Sequence, residues 1–147
     1  MAGFKRNGWH ISRTIPLLLL MGLIFFLSHQ EGTFIPLTQV PYLDKLAHFS
    51  LYSILAAATL FALPDYLRLD VSWRVATAVI LFSLMYGISD ELHQASIPGR
   101  DSSIKDLLAD VLGASFMTFL WFRVKWQKLL PLPEPALIKS VTHSGTS

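Results

Sequence analysis

Three short stretches of this chain carry residue types that do chemistry, and each adjoins an apolar run. Asp44, Lys45 and His48 stand where one run begins. The segment SDELHQASIPGR, Ser89–Arg100, closes a second run and contributes Asp90, Glu91, His93, Gln94 and Arg100. Arg100, Asp101, Lys105, Asp106 and Asp110 lie before and just inside a third. His48 with Asp44, or His93 with Asp90, has the composition of a general acid–base pair. Asp44, His48, Asp90 and Glu91 form a donor set suited to Mg²⁺, Mn²⁺ or Zn²⁺. Lys45, Arg100 and Lys105 could hold a phosphate. The acids outnumber these cations, so a bare anion would need a metal or protonated carboxylates beside it. No Ser-His-Asp arrangement or HExxH motif is evident, and the chain has no cysteine, so thiolate chemistry and Cys-ligated metals are excluded.

Helical spacing groups these residues further. Asp44, His48 and Tyr52 fall at i, i+4 and i+8 and share one helix face. Asp90, His93 and Gln94 share a face with Tyr86 and Gly87. Ser103, Asp106 and Asp110 share a face that Gly113 continues. If the three stripes face one another, they make an acidic pocket lined by His, Gln and Arg. Simpler roles compete at each position. Asp44 and Asp106 suit first-turn acids, and Ser103 suits an N-cap. Glu91 and Asp101 suit solvated positions, Lys45 and Lys105 suit snorkelling to head groups, and Pro98-Gly99 suits a plain turn. Gly22, Gly87 and Gly113 suit close helix packing. Asp110 lies too deep for capping; its simpler role is a buried pair with Arg100 or His48.

The elements that must position these groups are membrane helices. The 147 residues are 52% hydrophobic and 15% charged, with a mean hydropathy of +0.48, too apolar for an ordinary soluble domain. Four stretches read as spans: Thr14–Ser28 (extended back to Ile11 for length), Leu46–Leu63, Trp73–Leu92 and Ile104–Phe122. The first resembles a signal peptide in having basic residues before an apolar run, but His29-Gln30-Glu31 follows in place of a cleavage pattern. Nine of the twelve Lys and Arg fall at the N-terminus, in the Pro64–Ser72 loop and its edge, and at the C-terminus. The fold expected is therefore all-α, an integral membrane bundle of four transmembrane helices with both termini cytoplasmic. Trp121 and Trp126 suit an aromatic belt at the inner interface. Residues 1–130 form the membrane domain, and 131–147, rich in Pro, Ser and Thr, a flexible tail. A bacterial cytoplasmic membrane is the expected location, the bilayer the first partner, and nucleic acid no partner.

The motif D-K-x-x-H-F at Asp44–Phe49, followed by G-x-x-D-E-x-x-Q-x-x-x-P-G-R at Gly87–Arg100 and D-x-x-x-D-x-x-G at Asp106–Gly113, resembles the VanZ-like family of small bacterial membrane proteins. That family is named for a teicoplanin-resistance accessory protein. The resemblance covers about Leu43 to Gly113 and is specific as a joint pattern. It implies a site built from Asp44, Lys45, His48, Asp90, Glu91, Gln94, Arg100 and Asp106. Where many relatives carry Asn in the fourth span, this chain has Asp110. The resemblance implies architecture and a site, without a reaction. An envelope lipid, a peptidoglycan precursor or a glycopeptide antibiotic fits the family name as ligand. The alternatives are an accessory subunit of a larger membrane complex and a metal-dependent lipid hydrolase or transferase. A transporter using Asp110 as a proton carrier stands behind these.

Overall fold

The computed structural model describes residues 11–30, 42–68, 70–100 and 102–124. Asp101, Trp126 and the expected tail 131–147 lie outside the described residues. A single 3₁₀ turn, Ile11–Arg13, leads into α1 (Thr14–Ser28). Then come α2 (Leu43–Ala62), a one-turn α3 (Asp65–Arg68), α4 (Trp73–Gln94) and α5 (Ile104–Val124). Four of these segments, counting Ile11–Ser28 as one, are long and apolar enough to cross a bilayer.

The boundaries follow local chemistry. Leu63, extended at φ −61 and ψ 147, precedes Pro64, which disfavours a helical residue before it, and α2 stops there. Ser72 caps α4 by accepting the Val75 N–H. Gly99 turns the chain at φ 74, a left-handed conformation that costs glycine little, and α5 follows. Two spans extend beyond the bounds that apolarity alone suggests, one at its start and one at its end. α2 starts at Leu43 rather than Leu46, and α4 runs through Gln94 rather than stopping at Leu92. Both extensions are turns of polar residues whose side chains find partners inside the bundle.

The closest helix pairing is α2 with α5, and α1 packs mainly on α2 and α4. Small residues permit the α2–α5 approach: Ser53, Ala56, Ala109, Gly113 and Ala114. The Ser53 hydroxyl reaches the carbonyls of Phe49 (2.7 Å) and Gly113 (3.0 Å). One apolar cluster gathers Ala56, Leu60, Val75, Val79, Ala114 and Trp121; another gathers Ile24, Tyr52 and Leu55 nearer the polar end. Trp121, expected at the lipid interface, is only 2% exposed and packs into the first cluster. Among the described residues, Trp73 is the tryptophan turned outward, with the Arg74 guanidinium 5.8 Å from its ring centre. Outward-facing Ile15, Leu18, Leu19, Leu23 and Phe26 make α1 the most apolar face of the bundle. A soluble monomer rarely shows so continuous a patch, whereas acyl chains cover it in a membrane.

At the end of the bundle that holds the start of α1 and the α2–α4 connection, Asp65 accepts from Arg13 and from Arg68 (2.8 Å). Burial alone would raise the Asp65 carboxyl. The Arg13 hydrogen bond and the two guanidinium charges outweigh it and hold the group below the ordinary aspartate value. Arg68 is itself buried, and burial with the Arg13 charge lowers its pKa despite Asp65. This knot fixes α1 to the α2–α4 connection.

Candidate functional site

The other end of the bundle collects the end of α1, the start of α2, the end of α4 and the start of α5. The candidates Asp44, Lys45, His48, Asp90, Glu91, Gln94, Arg100, Asp106 and Asp110 all lie there. At the start of α2, Asp44 accepts the Lys45 backbone N–H (2.9 Å). It is a first-turn acid; the residue at the N-cap is Tyr42, which contributes no side-chain cap. The Lys45 ammonium bridges two carboxylates, Asp44 Oδ2 and Asp106 Oδ1, each at 2.7 Å. Lys45 thus turns inward to tie α2 to α5 rather than snorkelling outward.

One turn deeper, His48 Nδ1 lies 2.9 Å from Asp110 Oδ1. Asp110 is fully buried, and His48 pairs with it instead of with Asp44. The second Asp110 oxygen, Oδ2, has no hydrogen-bond partner. It faces Gly87 across the bundle: a Cβ at Gly87 would stand 2.8 Å from that oxygen and 3.1 Å from Leu107. Gly87 therefore makes room for the Asp110 carboxylate, which is more than helix packing. Tyr52 lies beneath the pair, fully buried, its ring parallel to His48 at 6.3 Å and its hydroxyl without a hydrogen-bond partner.

On α4, Asp90 and Gln94 are joined by a 3.0 Å bond, one turn apart, and Gln94 also donates to Ser28 of α1 at 3.2 Å. Glu91 points the other way, toward α5. It is 8% exposed, not solvated, and its Oε2 accepts the Ser103 N–H at 2.7 Å, just ahead of α5. Ser103 Oγ in turn accepts the Lys105 N–H at 3.2 Å, so Ser103 is the N-cap expected of it. Glu91 Oε1 has no hydrogen-bond partner.

Arg100 does not reach Asp110. Its Nε and Nη2 donate to the carbonyls of Gln30 (3.0 Å) and Leu27 (2.7 Å), satisfying the exposed end of α1. His93 also departs from expectation. It faces His29 at 3.3 Å, not Asp90, and stacks on Phe25 with ring centres 4.5 Å apart. His29 carried no local signal, because its partner is 64 residues away and its own neighbours are unremarkable in type. Lys105 is exposed.

These groups enclose a cavity of about 270 Å³ lined by Asp44, Lys45, His48, Gln94, Arg100 and Asp106, together with Gly99 and Ser103. Asp90, Glu91 and Asp110 support it from behind. A larger cavity of about 450 Å³, lined chiefly by Leu63, Leu67, Val75, Val79 and Phe82, is apolar and lies apart from these groups. The polar pocket thus combines cations and carboxylates at the end of four spans, with a His–Asp pair set into its floor. The motifs that build it also place the chain among known proteins: the profile of the VanZ/LLP1 family matches residues 14–125. The chain belongs to the VanZ/LLP1 family. The match takes in α1, α2, α4 and α5 as well as the three polar stretches. No curated protein and no solved structure matches the chain. As a VanZ/LLP1 protein it is a multi-pass membrane protein, and Asp110 stands on the same α5 face as Asp106 and Gly113.

Proposed function

We propose that this VanZ/LLP1 protein binds the polar head of an amphipathic cell-envelope molecule at the outer face of the bacterial cytoplasmic membrane. The observation that carries this reading is the mixed-charge cavity at the end of the bundle. A ligand with its apolar part in the bilayer would meet Lys45, Arg100 and Gln94 at the depth where its head group begins. Lys45 and the Arg100 N–H groups not bonded to α1 offer charge-assisted donors to a phosphate or carboxylate, and Asp44 and Asp106 accept from hydroxyl or amide groups. An isoprenoid-linked phosphate, a peptidoglycan precursor and a glycopeptide all present such heads on an envelope-facing surface.

The expected test uses purified full-length protein in nanodiscs, titrated in EDTA with an isoprenoid phosphate, a lipid-linked peptidoglycan precursor and teicoplanin. At least one should bind saturably, and Lys45→Gln should weaken that binding about tenfold or more, the loss expected for one charge-assisted bond. Saturable binding of none of the three, or full binding by a folded Lys45→Gln protein, would refute the reading.

Orientation supports the same proposal. Arg13, Arg68, Arg74 and Arg123 all stand at the end of the bundle opposite the cavity, the end that the positive-inside rule assigns to the cytoplasm. Ser96, exposed beside the cavity, gives a direct check because the chain has no native cysteine. Ser96→Cys should react with a membrane-impermeant maleimide added to intact spheroplasts. Labelling only after lysis would put the cavity inside.

A second reading has its own observation. Most polar groups of the cluster already pair with one another: Lys45 with Asp44 and Asp106, His48 with Asp110, Gln94 with Asp90 and Ser28. That favours a helix-locking role in an accessory subunit of a larger membrane complex.

A further inference from the structure

We infer that His48, Glu91 and Asp106 form a binding site for one divalent transition-metal cation in the floor of this cavity. The inference rests on the same pocket as the proposed function and deepens it. One donor atom from each of the three residues lies within 4.8 Å of the other two, close enough for a single ion to draw them together with small side-chain adjustments. They come from three different helices, α2, α4 and α5, so the grouping is a product of the fold rather than of local sequence.

The side chains carry unused capacity in this region. Glu91 spends one oxygen on the Ser103 N–H and leaves the other buried without a hydrogen-bond partner. A buried carboxylate oxygen left bare is costly, and a cation satisfies it. His48 is held by Asp110 through Nδ1. With Asp110 ionised, that bond places the proton on Nδ1 and leaves Nε2 as a lone-pair donor. The result is the carboxylate–histidine–metal relay that orients ligands in metal sites. Asp110 is thus a positioning residue for His48, and Gly87 leaves the space that the Asp110 carboxylate needs.

Charge points the same way. Glu91, Asp106 and Asp110 converge here with Asp44 and Asp90 beside them, and the ammonium of Lys45 is the one lysine or arginine charge ion-paired to them among the described residues. Arg100 is committed to α1 carbonyls. One imidazole with two carboxylates suits Zn²⁺ or Mn²⁺ better than Ca²⁺, whose sites are all oxygen. Lys45 and the ion compete for Asp106, since the ammonium already sits 2.7 Å from Asp106 Oδ1.

The test uses full-length protein without a histidine tag, stripped with EDTA in detergent and titrated with Mn²⁺ and with Zn²⁺. Stoichiometry is read by elemental analysis, and affinity by calorimetry. Wild type should bind about one ion per chain. Glu91→Gln and His48→Gln should bind at least about tenfold more weakly, and Asp110→Asn about 10- to 100-fold more weakly, as for other orienting partners. Lys45→Gln should bind more tightly, an effect that a merely structural cluster would not produce. Far-UV circular dichroism in EDTA confirms that each variant is folded; if His48→Gln is not, Glu91→Gln and Lys45→Gln decide. A wild type that holds no ion at micromolar excess overturns the inference, as does a folded Glu91→Gln protein that binds as wild type does. Amphiphile binding in EDTA without metal binding would leave the proposed function standing and remove this site. Metal binding without amphiphile binding would do the reverse.

Discussion

Gly113→Val is expected to unfold or severely destabilise the bundle, while Gly22→Ala leaves its stability essentially unchanged. Both glycines lie inside spans, so helix propensity alone would rank the two substitutions similarly. The packing separates them. A Cβ at Gly113 would run into the Phe49 carbonyl and the Ser53 hydroxyl of α2, and the first of these is backbone that no rotamer change can clear. At Gly22 a Cβ meets nothing within 4 Å. To admit even alanine at Gly113, α2 and α5 must separate where they pair most closely, and the Ser53–Gly113 bond that crosses this contact is stretched. Overpacking a tight core costs about 1–3 kcal/mol and occasionally more. A branched side chain against backbone belongs at the upper end. The polar site would suffer with the fold, because Gly113 lies three residues from Asp110 on the same helix, and Phe49 follows His48 on the other. Unfolding titrations in mixed micelles should show the Gly113→Val transition shifted far below wild type and Gly22→Ala superimposed on it. A Gly113→Val protein that melts with wild type would show that α2 and α5 do not approach here.

The helices were legible in the sequence because a bilayer demands long apolar runs with no unpaired backbone, and four such runs exist. Legibility ended where polar residues continue a helix. Hydropathy placed the edges at Leu46 and Leu92, but Asp44 and Lys45 at one edge and His93 and Gln94 at the other are helical because their side chains are paired within the bundle. Spacing correctly grouped Asp106 with Asp110, both buried on one face. It also set Glu91 apart from Asp90, but could not say that the neighbour on Glu91's side would be the start of α5 rather than water. Partners that are backbone atoms carry no sequence signature. Arg100 therefore read as a counter-ion for acids, although its guanidinium goes to the Leu27 and Gln30 carbonyls. Trp121 was misplaced for a related reason. An aromatic near a helix end fits the lipid interface or the core equally well, and only the small Ala56 and Ala114 around it make the inward position possible.

The second large effect concerns His48 and Asp110, and a double-mutant cycle resolves it. Asp110→Leu should destabilise the bundle by about 3–5 kcal/mol, the range for removing one partner of a buried ion pair. His48 is then left among the remaining acids with its Nδ1 unmatched, and the leucine must occupy the space that Gly87 opens for a carboxylate. His48→Leu should be similarly harmful, because it leaves both Asp110 oxygens unpartnered at a fully buried position. Combined, the two substitutions replace the pair by apolar contacts against Tyr52 and Leu107, and buried pairs exchanged whole for well-packed apolar groups are often neutral. The double variant should therefore be more stable than either single one, which requires a coupling energy larger than the cost of either substitution alone, about 3–5 kcal/mol, at or above the top of the range for contacting residues. This result would show that the protein does not need the His–Asp pair in order to fold. A stable double variant that has lost amphiphile or metal binding would assign the pair to the site. If instead the two losses simply add, His48 and Asp110 do not depend on one another. The relay that orients His48 toward the cavity would then have no energetic basis.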